Sequence, residues 1–164
     1  MWPSLANDML AVASAHGLVR FIAAGNSMGA ATALTAALQQ PHRILALVLY
    51  RPPLLWRDRA ARRDALFTSA DAHGPDWPYR DLLRGSAASN LPPASDAAWQ
   101  RLQSIPTLLL CHGDDAVHPI ASGVALQQVL PHATLLTADD LAAAEATFPA
   151  KAADWLVANK LIPS

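Results

Sequence analysis

A hydroxyl set between two glycines, Gly25-Asn26-Ser27-Met28-Gly29, is the arrangement in this chain best suited to nucleophilic chemistry. The G-x-S-x-G spacing gains meaning from its flanks: an apolar run precedes it, and an alanine-rich run follows it as far as Pro41. A strand that turns directly into a helix must bend sharply, so Ser27 is expected at the tip of a tight, strained turn. Glycine at 25 and 29 is expected because a side chain at either place would collide with the neighbouring strand or helix. The helix start points free backbone N–H groups and a partial positive charge at whatever the hydroxyl attacks. The Met28 N–H is the expected donor to a developing oxyanion. A plain N-cap serine in a glycine turn is the competing reading. No Lys follows the turn, and neither G-x-x-x-x-G-K-[ST] nor G-x-G-x-x-G occurs, which argues against a phosphate loop.

The elements that must hold this turn follow from periodicity and punctuation. Residues 3–16 read as a helix with Pro3 near its start and Gly17 just past its end. A strand is expected at 19–24, a helix at 28–40 stopped by Pro41, and a strand at 44–50. That second strand is apolar on both parities, as in a parallel sheet covered on both faces. Pro52 and Pro53 break the pattern. Helical pieces are expected near 57–71, 79–84 and 95–103, forming an insertion over 54–104. A strand at 106–111, a helix at 120–130, a strand at 133–137 and a helix at 149–159 complete the chain. This alternation predicts a single α/β domain over 1–164, a mostly parallel sheet of about four strands flanked by helices with a small helical cap.

Composition narrows the function classes. Hydrophobic residues make up 52% and charged residues 15%, a globular rather than disordered balance. Twelve Lys and Arg face 13 Asp and Glu, so no basic excess points to nucleic acid. The run Arg57, Arg59, Arg62 and Arg63 reads as a solvated helix face. No apolar run approaches the roughly 18 residues a membrane span requires. Cys111 is alone and reads as a buried, inert thiol, which agrees with a reducing compartment. The N-terminus lacks a basic segment followed by an apolar stretch, so no signal peptide is expected and the cytoplasm is the expected location.

With these residues in view, the chain resembles the α/β-hydrolase-fold family. The resemblance rests on the elbow, on Pro41-His42-Arg43 before the 44–50 strand, and on Ile105-Pro106-Thr107-Leu108-Leu109-Leu110 leading into His112-Gly113-Asp114-Asp115-Ala116-Val117-His118-Pro119. It also covers Leu130-Pro131-His132-Ala133-Thr134-Leu135 and nearly the whole chain. The family frame of strand, glycine turn, aspartate and later proline makes Asp115 the implied triad acid and Ser27 the implied nucleophile. Residues 54–104 correspond to the variable cap. Asn26, Arg51 and Trp56 are the implied substrate-pocket residues; Trp77 and Tyr79 of the cap either line that pocket with them or simply pack within the cap. The implied activity is hydrolysis of small esters or other acyl substrates, without metal or organic cofactor.

Two departures from the family stand out. Family members carry about four strands ahead of the nucleophile strand, including the loop that gives a second oxyanion donor. The chain here starts at the preceding helix, so its first strand is expected at a sheet edge open to self-association. The triad histidine is due after the last strand, where Asp139-Asp140-Leu141 stands instead. A serine without a base in reach is a poor nucleophile. His118 is implied at the same sheet end as the elbow, where a base or pocket role and a solvated loop histidine are both open. His112 reads as a packed turn residue, and His16, His42, His73 and His132 as surface residues. A silent hydrolase-like domain that binds a partner or ligand, and a peroxidase- or acyltransferase-like member, are the alternatives.

Overall fold

Strands without polar alternation need cover on both faces, and this chain supplies it by placing helices between its strands. The fold is described from a computed structural model for residues 1–52, 64, 67–81, 84–85, 96–130 and 132–163. Its elements run α1 (Trp2–Ala15), β1 (Phe21–Asn26), α2 (Met28–Gln39), β2 (Ile44–Tyr50), α3 (Asp96–Gln100), β3 (Thr107–His112), α4 (Ile120–Val129), β4 (Ala133–Ala138) and α5 (Leu141–Ala158). The four strands form one parallel sheet in the order β1-β2-β3-β4. This is the expected α/β architecture, a partial α/β-hydrolase-type sheet with helices on both faces.

Period-two alternation sorts the strand residues between two cores. On one face, Leu47, Leu49 and Leu109 pack with Leu34 and Leu38 of α2, Leu126 of α4, and Trp99 and Leu102. On the other, Leu108 and Leu110 pack with Ala144 and Phe148 of α5. All six residues of β3 are buried, as a central strand requires. The alanines of α2 have a packing reason, because the helix is covered twice. Trp2 of α1 lies against Ala31, and Ala6 and Leu10 lie against Ala36. Small side chains let both layers approach closely.

Most bounds fall within a residue of expectation, and the helix expected at 95–103 covers Asp96–Gln100; the shifts at β1 and α5 have a physical reason. β1 begins at Phe21 rather than at 19 and runs on to Asn26. The Arg43 guanidinium takes the Leu18 and Val19 carbonyls at 2.6 and 3.2 Å, so these groups are bonded to a side chain. α5 begins at Leu141 rather than 149, with Asp140 accepting the Ala143 N–H at 2.8 Å as its N-cap. Pro149 therefore sits inside the helix, where it removes one hydrogen bond. Ala144 and Phe148 before it and Ala152 and Trp155 after it join the same core, and that shared burial carries the helix through the proline.

Parts of the 54–104 insertion, including the 57–63 arginine run, lie outside the described residues. Residues 67–72 are helical. Asp71 accepts from Arg80 and Arg84 at 2.9 and 2.6 Å. His73 stacks on Trp77 at 4.2 Å, and Tyr79 meets Trp77 edge-on. Trp99, Leu102 and Ile105 belong to the main core rather than to a separate layer. Among the described residues, no helix is long and apolar enough to cross a membrane.

Parallel strands in one sheet end on one edge. Asn26 lies opposite Tyr50, and His112 opposite Ala138, so the segments starting at Ser27, Arg51 and Gly113 leave the sheet side by side. Open α/β sheets place their chemistry at this carboxyl edge.

Candidate active site

Ser27 links β1 to α2 with φ 53° and ψ −110°, a conformation that costs a non-glycine residue about 1–3 kcal/mol. Two hydrogen bonds hold it there: its N–H donates to Tyr50 O at 2.9 Å, and its carbonyl accepts the Ala31 N–H at 3.2 Å. A Cβ on Gly25 would fall against the backbone of Gly29 and Ala30, so only glycine permits this bend. The expectation for Gly29 is corrected: a Cβ there meets nothing within 4 Å. The crowding is one-sided because the elbow folds α2 back over the strand residue and leaves the helix residue facing open space.

The Ser27 side chain does not cap α2. Its hydroxyl instead lies 2.7 Å from Nε2 of His118. On the other side of the ring, His118 Nδ1 lies 3.1 and 3.3 Å from the two carboxylate oxygens of Asp115. A carboxylate only accepts, so these distances call for the proton on Nδ1, and Nε2 is left with its lone pair toward the serine. The arrangement can draw a proton from the Ser27 hydroxyl while the Asp115 charge faces the forming imidazolium.

The local sequence explains how acid and base come so close in the chain. Asp115 Oδ1 accepts the backbone N–H groups of Val117 and His118 at 2.9 and 2.8 Å. The carboxylate thus folds its own loop around itself, in the manner of an Asx turn. That turn brings the ring of the residue three positions later back onto the carboxyl group. Gly113 fixes the loop from below: its N–H donates to Ala138 O at 3.0 Å, and a Cβ there would press on Asp139 O at 2.7 Å. At the place where the resemblance puts the histidine, Asp140 caps α5 instead.

Asp115 is 6% and His118 8% exposed, so both ionise in a shielded setting. Burial alone would raise the Asp115 pKa. The Arg51 hydrogen bond, the His118 N–H and charge, and the Val117 N–H outweigh it and hold the carboxyl well below the usual carboxylate range. Burial pushes His118 below its ordinary value, and the Asp115 charge and hydrogen bond oppose that only in part. The Cys111 thiol is pushed up to about 11 by burial and stays a thiol.

The remaining expected residues fall in different places. Met28 opens α2, 40% exposed, with its N–H at the helix start beside Ser27. Asn26 is the exposed last residue of β1. Trp56 lies outside the described residues. Arg51, expected to line a pocket, places its Nε 2.5 Å from Asp115 Oδ2. That pairing was not foreseen, and nothing in its local sequence signals a partner 64 positions away. His112 is buried as expected, with Nδ1 2.5 Å from Asp114 Oδ1.

The comparisons with known proteins agree with this architecture. The sequence model of the alpha/beta hydrolase fold matches residues 3–82. No curated protein matches the chain in sequence. Among solved structures, a thermophilic esterase from Thermogutta terrifontis superposes with a TM-score of 0.71 at 18% identity, over 97% of this chain and 73% of that one. A carboxylesterase from Nitrososphaera gargenis gives 0.71 at 13% identity, over 98% and 73%. The enol-lactonase from Burkholderia xenovorans gives 0.63 at 20% identity, over the same shares. With its elbow between β1 and α2 and its four parallel strands, the chain has part of an α/β-hydrolase fold.

Proposed function

We propose that this protein hydrolyses small esters or related acyl substrates, with Ser27 as nucleophile, His118 as general base and Asp115 as the acid that orients it. The observation that carries this reading is the unbroken contact from Ser27 Oγ through the His118 ring to the Asp115 carboxylate. The esterase and the enol-lactonase that share this fold carry out chemistry of the same acyl-transfer class, which supports the reading.

In the first step Ser27 Oγ attacks the acyl carbonyl carbon, and its proton passes to His118 Nε2. The carbonyl oxygen takes the negative charge beside the Met28 N–H and the positive end of α2. As the intermediate collapses, the bond to the leaving alcohol breaks, and that alcohol carries away the His118 proton. Water then repeats the sequence on the acyl-serine and releases the carboxylic acid. Asp115 stays ionised throughout, and its depressed pKa ensures this. The strain at Ser27 serves presentation, because φ 53° turns the hydroxyl away from capping and toward His118.

The reading is tested with p-nitrophenyl esters of short acids. A burst of p-nitrophenol, lost in Ser27→Ala with the circular dichroism spectrum unchanged, is the expected result. A well-folded wild type with no Ser27-dependent turnover would favour a silent, ligand-binding domain instead.

The electrostatics add a pH expectation. An imidazolium has no lone pair on Nε2, so turnover falls as pH drops through the His118 value. That value lies below the ordinary 6.5. The acidic half-point of kcat/KM is therefore expected below pH 6.5, and a half-point above it would contradict the role of a buried neutral His118.

A further inference from the structure

We propose that Arg51 is a positioning residue for the triad acid: its guanidinium locks the Asp115 carboxylate in the rotamer that His118 needs. The inference rests on the catalytic reading above and deepens it. Three observations carry it.

Arg51 Nε lies 2.5 Å from Asp115 Oδ2, while Oδ1 takes the Val117 and His118 N–H groups. The two oxygens of one carboxylate are therefore held by different partners. With Oδ1 fixed by the turn and Oδ2 by Arg51, the plane of the carboxyl group cannot rotate away from the imidazole. A carboxylate held only through Oδ1 could still turn about its bond to Cβ.

The second observation is the backbone. Arg51 has φ 49°, the left-handed region in which a long side chain is uncommon. Its N–H donates to Leu110 O at 2.9 Å, which continues the β2–β3 ladder one residue beyond the strand. The preceding residue, Tyr50, accepts the Ser27 N–H. Ser27 and Arg51 are thus two strained residues on neighbouring strand ends, one presenting the nucleophile and the other bracing its acid. Strain of this kind persists where surrounding contacts over-determine it, and it clusters at functional sites.

The third is burial. The Arg51 side chain is 30% exposed while that of Asp115 is 3%, so the cation reaches inward from the rim to a shielded carboxylate. Arginine suits this task because its charge persists at any working pH and its fork fixes direction.

Several charged and titratable groups share the neighbourhood. His112 Nε2 lies 3.7 Å from Asp115 Oδ2, and Asp114 pairs with His112 from the same loop. Tyr50 packs on His112 and feels Arg51, Glu145, Asp115 and Asp114. Asp139 lies against Gly113. Arg51 is the cation bonded to Asp115, and its charge also disfavours the proton on His118.

The test compares wild type, Arg51→Gln and Arg51→Lys by ester kinetics and by NMR titration of the His118 ring. For Arg51→Gln, kcat is expected to fall about 10- to 100-fold with KM little changed, the loss typical of a misplaced catalytic group. The His118 titration is expected to move to higher pH. Arg51→Lys is expected to return the titration toward wild type while recovering kcat only in part. An unchanged His118 titration in Arg51→Gln overturns the proposal, as does a raised KM at unchanged kcat, which marks a substrate contact. The titration needs no turnover. Its failure is therefore distinct from a failure of the hydrolase reading, which shows as absent Ser27-dependent activity in the wild type.

Discussion

Replacing His118 with alanine is expected to lower kcat for p-nitrophenyl esters by about 10^4- to 10^6-fold, the range seen when a serine nucleophile loses its base. The substitution removes the acceptor 2.7 Å from Ser27 Oγ. It leaves the elbow intact, since Ser27 is held by backbone bonds to Tyr50 and Ala31 that His118 does not make. KM is expected to change little, because the ring acts on the serine rather than on the bound acyl group. Stopped-flow and steady-state kinetics on a variant with wild-type circular dichroism check this. Retention of more than a tenth of the wild-type rate would mean that another group takes the proton. The experiment has force because the position after β4, where the fold's base is due, is occupied by Asp139 and Asp140, and Asp140 is bonded to the Ala143 N–H as a helix cap.

Asp115→Asn is expected to reduce kcat by about 10^4-fold, through the tautomer rather than through loss of contact. The asparagine carbonyl can still accept the Val117 and His118 N–H groups that Asp115 Oδ1 takes now. Its amide nitrogen then occupies the Oδ2 position, facing His118 Nδ1 and the Arg51 guanidinium. An amide N–H there donates to Nδ1 and moves the ring proton to Nε2, so the ring no longer accepts from Ser27. The same amide meets Arg51 donor to donor. A destabilised loop is therefore expected alongside the lost rate. A pH profile separates the two effects: a tautomer defect depresses the plateau, whereas loop opening also shifts the acidic limb toward the value of an exposed histidine. A rate within tenfold of wild type would remove Asp115 from the machinery.

The strands were legible wherever hydrophobicity alone decides. Ile44–Tyr50 is apolar at every position, and the strand has those bounds. Boundaries failed where a distant group intervened: the carbonyls of residues 18 and 19 are taken by Arg43, which no window around β1 contains. The helix expected at 149–159 begins eight residues earlier, because burial of Phe148 and partial burial of Trp155 in one core carry α5 across Pro149. At the site, Ser27 could be read from its glycines, since the bend is local and Gly25 alone explains most of it. Asp115 could be read only through the family frame. His118 stayed ambiguous because its partnership depends on how an Asx turn folds a loop, and two readings of such a histidine look alike in sequence. The Arg51–Asp115 pair had no local signal: Arg51 has a positive φ, which has no sequence signature at an arginine, and its partner lies 64 positions away.

The fold also explains how three strand ends bring these groups together. In a parallel sheet every strand ends on the same edge, so Ser27 after β1, Arg51 after β2 and Asp115 with His118 after β3 meet without a contribution from the end of β4. What the β4–α5 connection supplies is support, through Ala138 O and Asp139 O beneath Gly113.

The most direct measurement is intact-protein mass spectrometry after treatment with a fluorophosphonate, followed by peptide mapping, for the wild type and His118→Ala. One adduct on the peptide containing Ser27, formed rapidly in the wild type and slowed by orders of magnitude in the variant, is the predicted result. A folded wild type that takes no adduct, or labelling that proceeds equally fast without His118, would contradict a serine activated by this histidine.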